Sequence, residues 1–249
     1  MAKETSILKL KGVLDGMSFY KNSEGHYVRA KGGIEKERIM NDANFARTRE
    51  NMNEFANING AGKLIRNSVS EYLRRAKDMR TSSRLVSTVA KIKNLDSVSP
   101  RGQRTFAIGF STVEGKALLT GYDFNKYAPL QMILKKDLQV DPVAGSITVT
   151  GFKPSTDLAV PEFATHVNFG LACVSLDAEN DASETIYTTP APMVINDDVA
   201  DLTVTLSGLP AGAGVKMFYV LVEFFQEVNG ELYELRSGQM NALKIVHIE

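Results

Sequence analysis

Asn59-Gly60-Ala61-Gly62-Lys63-Leu64 is the stretch nearest in type to a phosphate loop. Such a loop wraps backbone N–H groups around phosphates, adds a lysine for charge, and needs a Ser or Thr hydroxyl for magnesium. Asn57 stands where the first glycine belongs and Leu64 where the hydroxyl belongs. The stretch therefore reads as a helix break with a solvated lysine. Gly208, Gly212 and Gly214 follow one strand pattern and precede another, so no helix N-terminus is there to receive a pyrophosphate. His26, His166 and His247 lie far apart, and none has a Cys or second His at metal-ligand spacing. Asp177, Glu179, Asp181 and Glu184 supply oxygen ligands of the kind calcium takes, but not at EF-hand spacing. They read as a solvated turn, as does Asn196-Asp197-Asp198. Cys173, the single cysteine, sits in an apolar alternating run and reads as a core thiol. The expectation is no catalytic residue, no cofactor, no metal and no enzyme.

Charge is the stronger signal. Residues 1–104 carry 21 Lys+Arg against 11 Asp+Glu; residues 105–249 carry 8 against 18. The chain is neutral overall and sorted into a basic and an acidic half. Such a split can pair the halves of one molecule, pair neighbouring molecules head to tail, or aim the basic half at an acidic partner. Nine cations cluster along the middle: Arg47, Arg49, Lys63, Arg66, Arg74, Arg75, Lys77, Arg80 and Arg84. Nucleic-acid binding would want aromatics beside them for stacking. Phe45, Phe55 and Tyr72 instead fall on the apolar positions. No apolar run is long enough to span a bilayer, and the opening MAKETSILKLKG lacks the apolar core of a secretory signal. Synthesis in the cytoplasm is expected, with incorporation into a particle or an extracellular assembly.

The elements that must position these groups follow from periodicity. Residues 1–31 read as a β-meander, with Asp15-Gly16 and Asn22-Ser23-Glu24-Gly25 as its turns. It lacks the apolar area to stand alone and must dock on its own chain or on another subunit. Residues 32–104 read as a basic helical region. The first helix begins near Asp42 with Phe45, Thr48, Met52 and Phe55 inside; Asn57–Gly60 interrupts it. A second helix carries Leu64, Ile65, Val69, Tyr72, Leu73 and Ala76, and a third Leu85, Val86, Val89, Ile92 and Leu95. Ser97–Gly102 reads as the domain boundary. Residues 112–122 suit a short helix that Gly115 weakens. Residues 103–125 otherwise carry no clear period, and from about residue 127 the pattern alternates as strands, with Asn229-Gly230 the firmest hairpin turn. The fold class is α+β: meander, basic helices, then an immunoglobulin-like antiparallel β-sandwich.

Leu10-Lys11-Gly12, Phe19-Tyr20, Ala46-Arg47-Thr48-Arg49-Glu50-Asn51 with Glu54-Phe55, and Gly115-Lys116-Ala117-Leu118-Leu119 with Phe124-Asn125 resemble an uncharacterised family of Bacteroidota. The resemblance implies a lineage and brings no activity. The residues themselves point to a non-enzymatic structural subunit that self-assembles into a filament, a surface layer or a phage-type particle. Its partner would be a second copy of itself. The expected interface residues are Leu8, Leu10, Phe19, Val28, Arg66, Arg74 and Arg75. The rival reading is a nucleic-acid-associated protein that binds through residues 34–104.

Overall fold

A computed structural model describes residues 2–3, 10–235 and 240–249. The chain divides into two compact units, Met1–Arg49 and Glu50–Glu249.

The first unit is the expected meander. Strands β1 (Ala2–Lys3), β2 (Gly12–Leu14), β3 (Met17–Asn22) and β4 (Gly25–Ala30) form an antiparallel sheet in the order β1-β4-β3-β2. Asp15 and Gly16 both take positive φ, 44° and 72°, which a tight two-residue hairpin requires. A short helix, α1 (Lys36–Asn41), and a single 3₁₀ turn follow. No described residue of this unit is buried.

Helix α2 (Ala46–Ser68) begins at the end of the first unit and runs into the second, which continues with α3 (Ser70–Arg75), α4 (Thr81–Lys93), α5 (Phe106–Phe110), α6 (Val113–Leu119) and α7 (Leu130–Ile133). Strands β5 (Gln139–Asp141) and β6 (Ser146–Phe152), the short α8 (Pro154–Asp157), and strands β7 (His166–Asp177), β8 (Ala182–Tyr187), β9 (Met193–Val194), β10 (Ala200–Thr205), β11 (Val215–Val228), β12 (Glu231–Glu234) and β13 (Ala242–Ile248) complete it. They form a three-stranded sheet, β10-β6-β5, and a six-stranded sheet centred on the long β7–β11 pair, all antiparallel. Asn229 and Gly230 both take positive φ at the β11–β12 turn, as the Asn-Gly pair demands.

The central sheet is covered on both faces. Ala172, Val174, Leu176, Met217, Tyr219 and Leu221 pack against Ile65, Tyr72, Leu85, Ile92 and Phe106 of the helices. The intervening residues Val167, Phe169, Leu171, Cys173, Phe218, Val220 and Phe224 enclose a second core with Ile147, Val149 and Leu202 of the small sheet. Period 2 therefore sorts side chains between two cores rather than between core and solvent. The sequence shows a boundary in charge at 104/105. Packing does not divide there, because the first core draws on both sides of it.

Two helical expectations are corrected. Helix α2 runs unbroken through Asn57–Gly60 and ends at Ser68, one residue before Val69 caps α3. Asn57 is recruited from outside: its Oδ1 accepts the Phe106 N–H at 2.8 Å. The inward face of α2 is Glu54, Ile58, Leu64, Ile65 and Ser68, whereas Met52 and Phe55 are exposed. Residues 112–122 do contain a helix, α6. Gly115 favours it through packing, since a Cβ there would overlap the Gly109 carbonyl, and one at Gly109 would overlap the Ile92 carbonyl. Gly109→Ala should cost about 1–3 kcal/mol by prying α5 from α4; a urea titration measures it.

Candidate assembly surfaces

The register of the N-terminal sheet decides which side chains share a face. Phe19 lies opposite both Gly12 and Val28, and Val28 opposite Ala2. Met17 lies opposite Leu14 and Ala30. One face is thus Leu14, Met17, Phe19, Val28 and Ala30. The other holds Tyr20 against Tyr27, rings stacked 6.0 Å apart, with the Arg29 guanidinium over Tyr20 at 5.5 Å. Leu14 is 63% exposed and Met17 48%, while Phe19 and Val28 are half-buried. Leu10 is exposed; Leu8 lies outside the described residues. Of the residues on this face the sequence reading named Phe19 and Val28 and did not name Leu14 and Met17. The signal was present, because a tight turn at Asp15-Gly16 puts Leu14 and Met17 opposite each other on the Phe19 face.

The basic helices use much of their charge internally. Glu54, buried on α2, accepts from Arg104 Nε at 2.8 Å and Nη2 at 3.1 Å, from the Gly102 N–H at 2.8 Å, and from Lys93 Nζ. The Arg104 guanidinium and these other donors outweigh burial and hold the Glu54 carboxyl at about 2. Burial would raise the Asp96 carboxyl, yet backbone N–H groups, those of Ser99 and Thr105 foremost, hold it at about 2 as well. Asp78 receives Arg84 at 2.5 Å and the Arg80 and Lys126 N–H groups. Arg75 reaches across the charge halves to Glu223 on β11 at 2.9 Å, where Asn168 completes the carboxylate's partners. Arg75 is therefore turned inward, unlike its neighbour Arg74 on the surface.

Lys63, Arg66, Arg74, Lys77 and Arg80 make no side-chain hydrogen bond or ion pair among the described residues. Arg66 and Arg74 come together at one cavity of about 390 Å³, and Lys77 joins them. In the acidic half a groove of about 440 Å³ runs along β10, lined by Phe169, Tyr187, Leu202, Val204 and Leu206. β10 ends its sheet, so its outer backbone edge pairs with no described strand.

The remaining chemistry-bearing residues form no metal-binding group among the described residues. His26, His166 and His247 sit on β4, β7 and β13. Burial pushes the Cys173 thiol up to about 11, which suits packing and not nucleophilic attack. Asp177 accepts the Glu179 and Asn180 N–H groups in the β7–β8 turn. Among the described residues no three His, Cys, Asp or Glu side chains gather as a metal group, and no helix is long and apolar enough to cross a membrane. The Asn59–Leu64 stretch is mid-helix, where its N–H groups serve the helix instead of a phosphate. No family model, characterised protein or solved structure matches the chain.

Proposed function

We propose that this protein is a structural subunit that assembles with copies of itself, the N-terminal sheet of one copy docking on the acidic half of the next. One observation carries the reading: the 49-residue N-terminal unit buries none of its described side chains, yet presents Leu14, Met17, Phe19 and Val28 on a single face. A sheet of this size does not stand unaided in water, and each large apolar side chain it covers gains about 1.5–3 kcal/mol. Charge selects the occupant. The first 49 residues carry 10 Lys+Arg against 6 Asp+Glu, while residues 105–249 are net acidic. The β10 groove adds apolar lining and an open strand edge, the feature by which strands recruit another chain. Its two facing antiparallel sheets also support the immunoglobulin-like reading of residues 105–249. The chain is made in the cytoplasm and built into a filament, surface layer or particle.

Complementation tests this directly. Leu14→Glu with Met17→Glu should stop assembly by blocking the donor face, and Val204→Glu should stop it by blocking the groove. Mixed together, the two variants should form a one-to-one pair that grows no further, because each retains the surface the other lacks. Assembly by either variant alone, or no pairing of soluble folded variants on mixing, overturns the donor-and-groove arrangement.

Nucleic-acid contact through residues 34–104 is the second reading, favoured by the unengaged Lys63, Arg66, Arg74, Lys77 and Arg80. The same residues also support a narrower site, which does not depend on the assembly reading.

A further inference from the structure

The cavity between α3 and the start of α4 is built around positive charge. Arg66 enters it from the last turn of α2, Arg74 from the last turn of α3, and Lys77 from the connection to α4. None of the three has an ion-pair partner among the described residues. This sets them apart from Arg75, Arg84 and Arg104, each of which meets a carboxylate. The one acidic residue in the lining, Asp78, cannot neutralise them. Its carboxylate is fully buried and already engaged by Arg84 and two backbone N–H groups.

Arg66 is also partly buried. Its Nη1 is buried, lacks a hydrogen-bond partner, and lies 3.4 Å from where a Cβ at Gly62 would stand. The cavity also abuts the N-terminal end of α4, a 13-residue helix whose Arg80 cap position provides no side-chain hydrogen bond. Cations belong at the negative, C-terminal ends of helices. Arg66 and Arg74 satisfy that on their own helices, yet both crowd the positive end of a third. Three cations with no counter-charge, converging on a concave site with the Ser70 and Ser82 hydroxyls in its wall, are an anion's surroundings.

We propose that this cavity binds an oligophosphate: a pyrophosphate group, free or as the phosphate chain of a small molecule. Three positive charges call for more negative charge than chloride or a single carboxylate supplies. The volume, about 390 Å³, is in the usual range for a small-ligand site. No aromatic side chain lines the cavity, so recognition rests on the phosphates and not on a stacked base.

Titration calorimetry on the full chain with inorganic pyrophosphate, at constant ionic strength, tests the site. The expected result is saturable binding with one site per chain. Arg74→Ala with Lys77→Ala removes two exposed cations that make no hydrogen bond or ion pair among the described residues, so the fold should hold, as circular dichroism would verify. The pair should lose about a hundredfold in affinity, about tenfold for each charged contact. Orthophosphate should bind more weakly than pyrophosphate, and chloride not at all. No saturable binding by the wild-type chain, or equal affinity in the folded double variant, overturns the proposal. So does failure with pyrophosphate alongside retardation of DNA or RNA, which would assign the same cations to a nucleic-acid backbone.

Discussion

Glu54→Ala should lose about 3–5 kcal/mol of stability, because it leaves a buried counter-charge unpaired. The carboxylate is buried between α2 and the chain that follows α4, and four donors converge on it: Lys93, two nitrogens of Arg104, and the Gly102 N–H. Truncation leaves Lys93, itself buried, with no counter-charge in a site that excludes water. Gly102 adopts φ +91°, and a Cβ there would stand 2.8 Å from Glu50 Cγ. Only a glycine lets that backbone approach the carboxylate closely enough to donate. Denaturant melts of Glu54→Ala and Glu54→Gln measure the loss, and a change under about 1 kcal/mol would show the network to be dispensable.

The same group sets the acid limit of the fold. Its folded pKa lies below the unfolded value, so its contribution is fully present above about 4.5 and is lost as pH falls toward about 2. Asp96 acts with the same sign, starting from 3.8. Stability should fall between pH 4.5 and pH 2, and less steeply in Glu54→Gln than in the wild-type chain.

Deleting residues 1–31 should leave a folded, soluble chain that no longer assembles. Among the described residues the two cores begin at Ile58, so neither loses a described side chain, and the thermal midpoint should stay close to that of the full chain. What goes is the apolar sheet face, the donor in the proposed contact. Unfolding or aggregation of the truncated chain would place the sheet in its own subunit's fold. Normal assembly would remove it from the interface.

Local turn chemistry was the most legible feature of the sequence. Asp15-Gly16 and Asn229-Gly230 sit at hairpins because positive φ is cheap for those residues and almost no others. Strand alternation in Val167–Cys173 was legible too, but not the fact that both faces are covered, which depends on helices distant in sequence. The break expected at Asn57–Gly60 failed because Asn57 is held by Phe106, a tertiary partner that local propensity cannot see. Nothing in the sequence singles out Glu54 or Asp96; their burial follows from Lys93, Arg104 and the chain around Gly102 folding back. Among the residues expected at an interface, Phe19 and Val28 are cross-strand neighbours on one face, whereas Arg75 is claimed by Glu223 on β11. A cation's partner 148 positions away leaves no trace in its neighbours.

Sedimentation velocity of the full chain, over a concentration series at about 0.1 M and about 1 M salt, bears most directly on self-assembly. The account predicts species larger than one chain at the lower salt, growing with concentration. It predicts their weakening at the higher salt, as the Debye length shrinks from about 10 Å to about 3 Å and the basic and acidic surfaces cease to attract. A single-chain species at every concentration and both salts would contradict it.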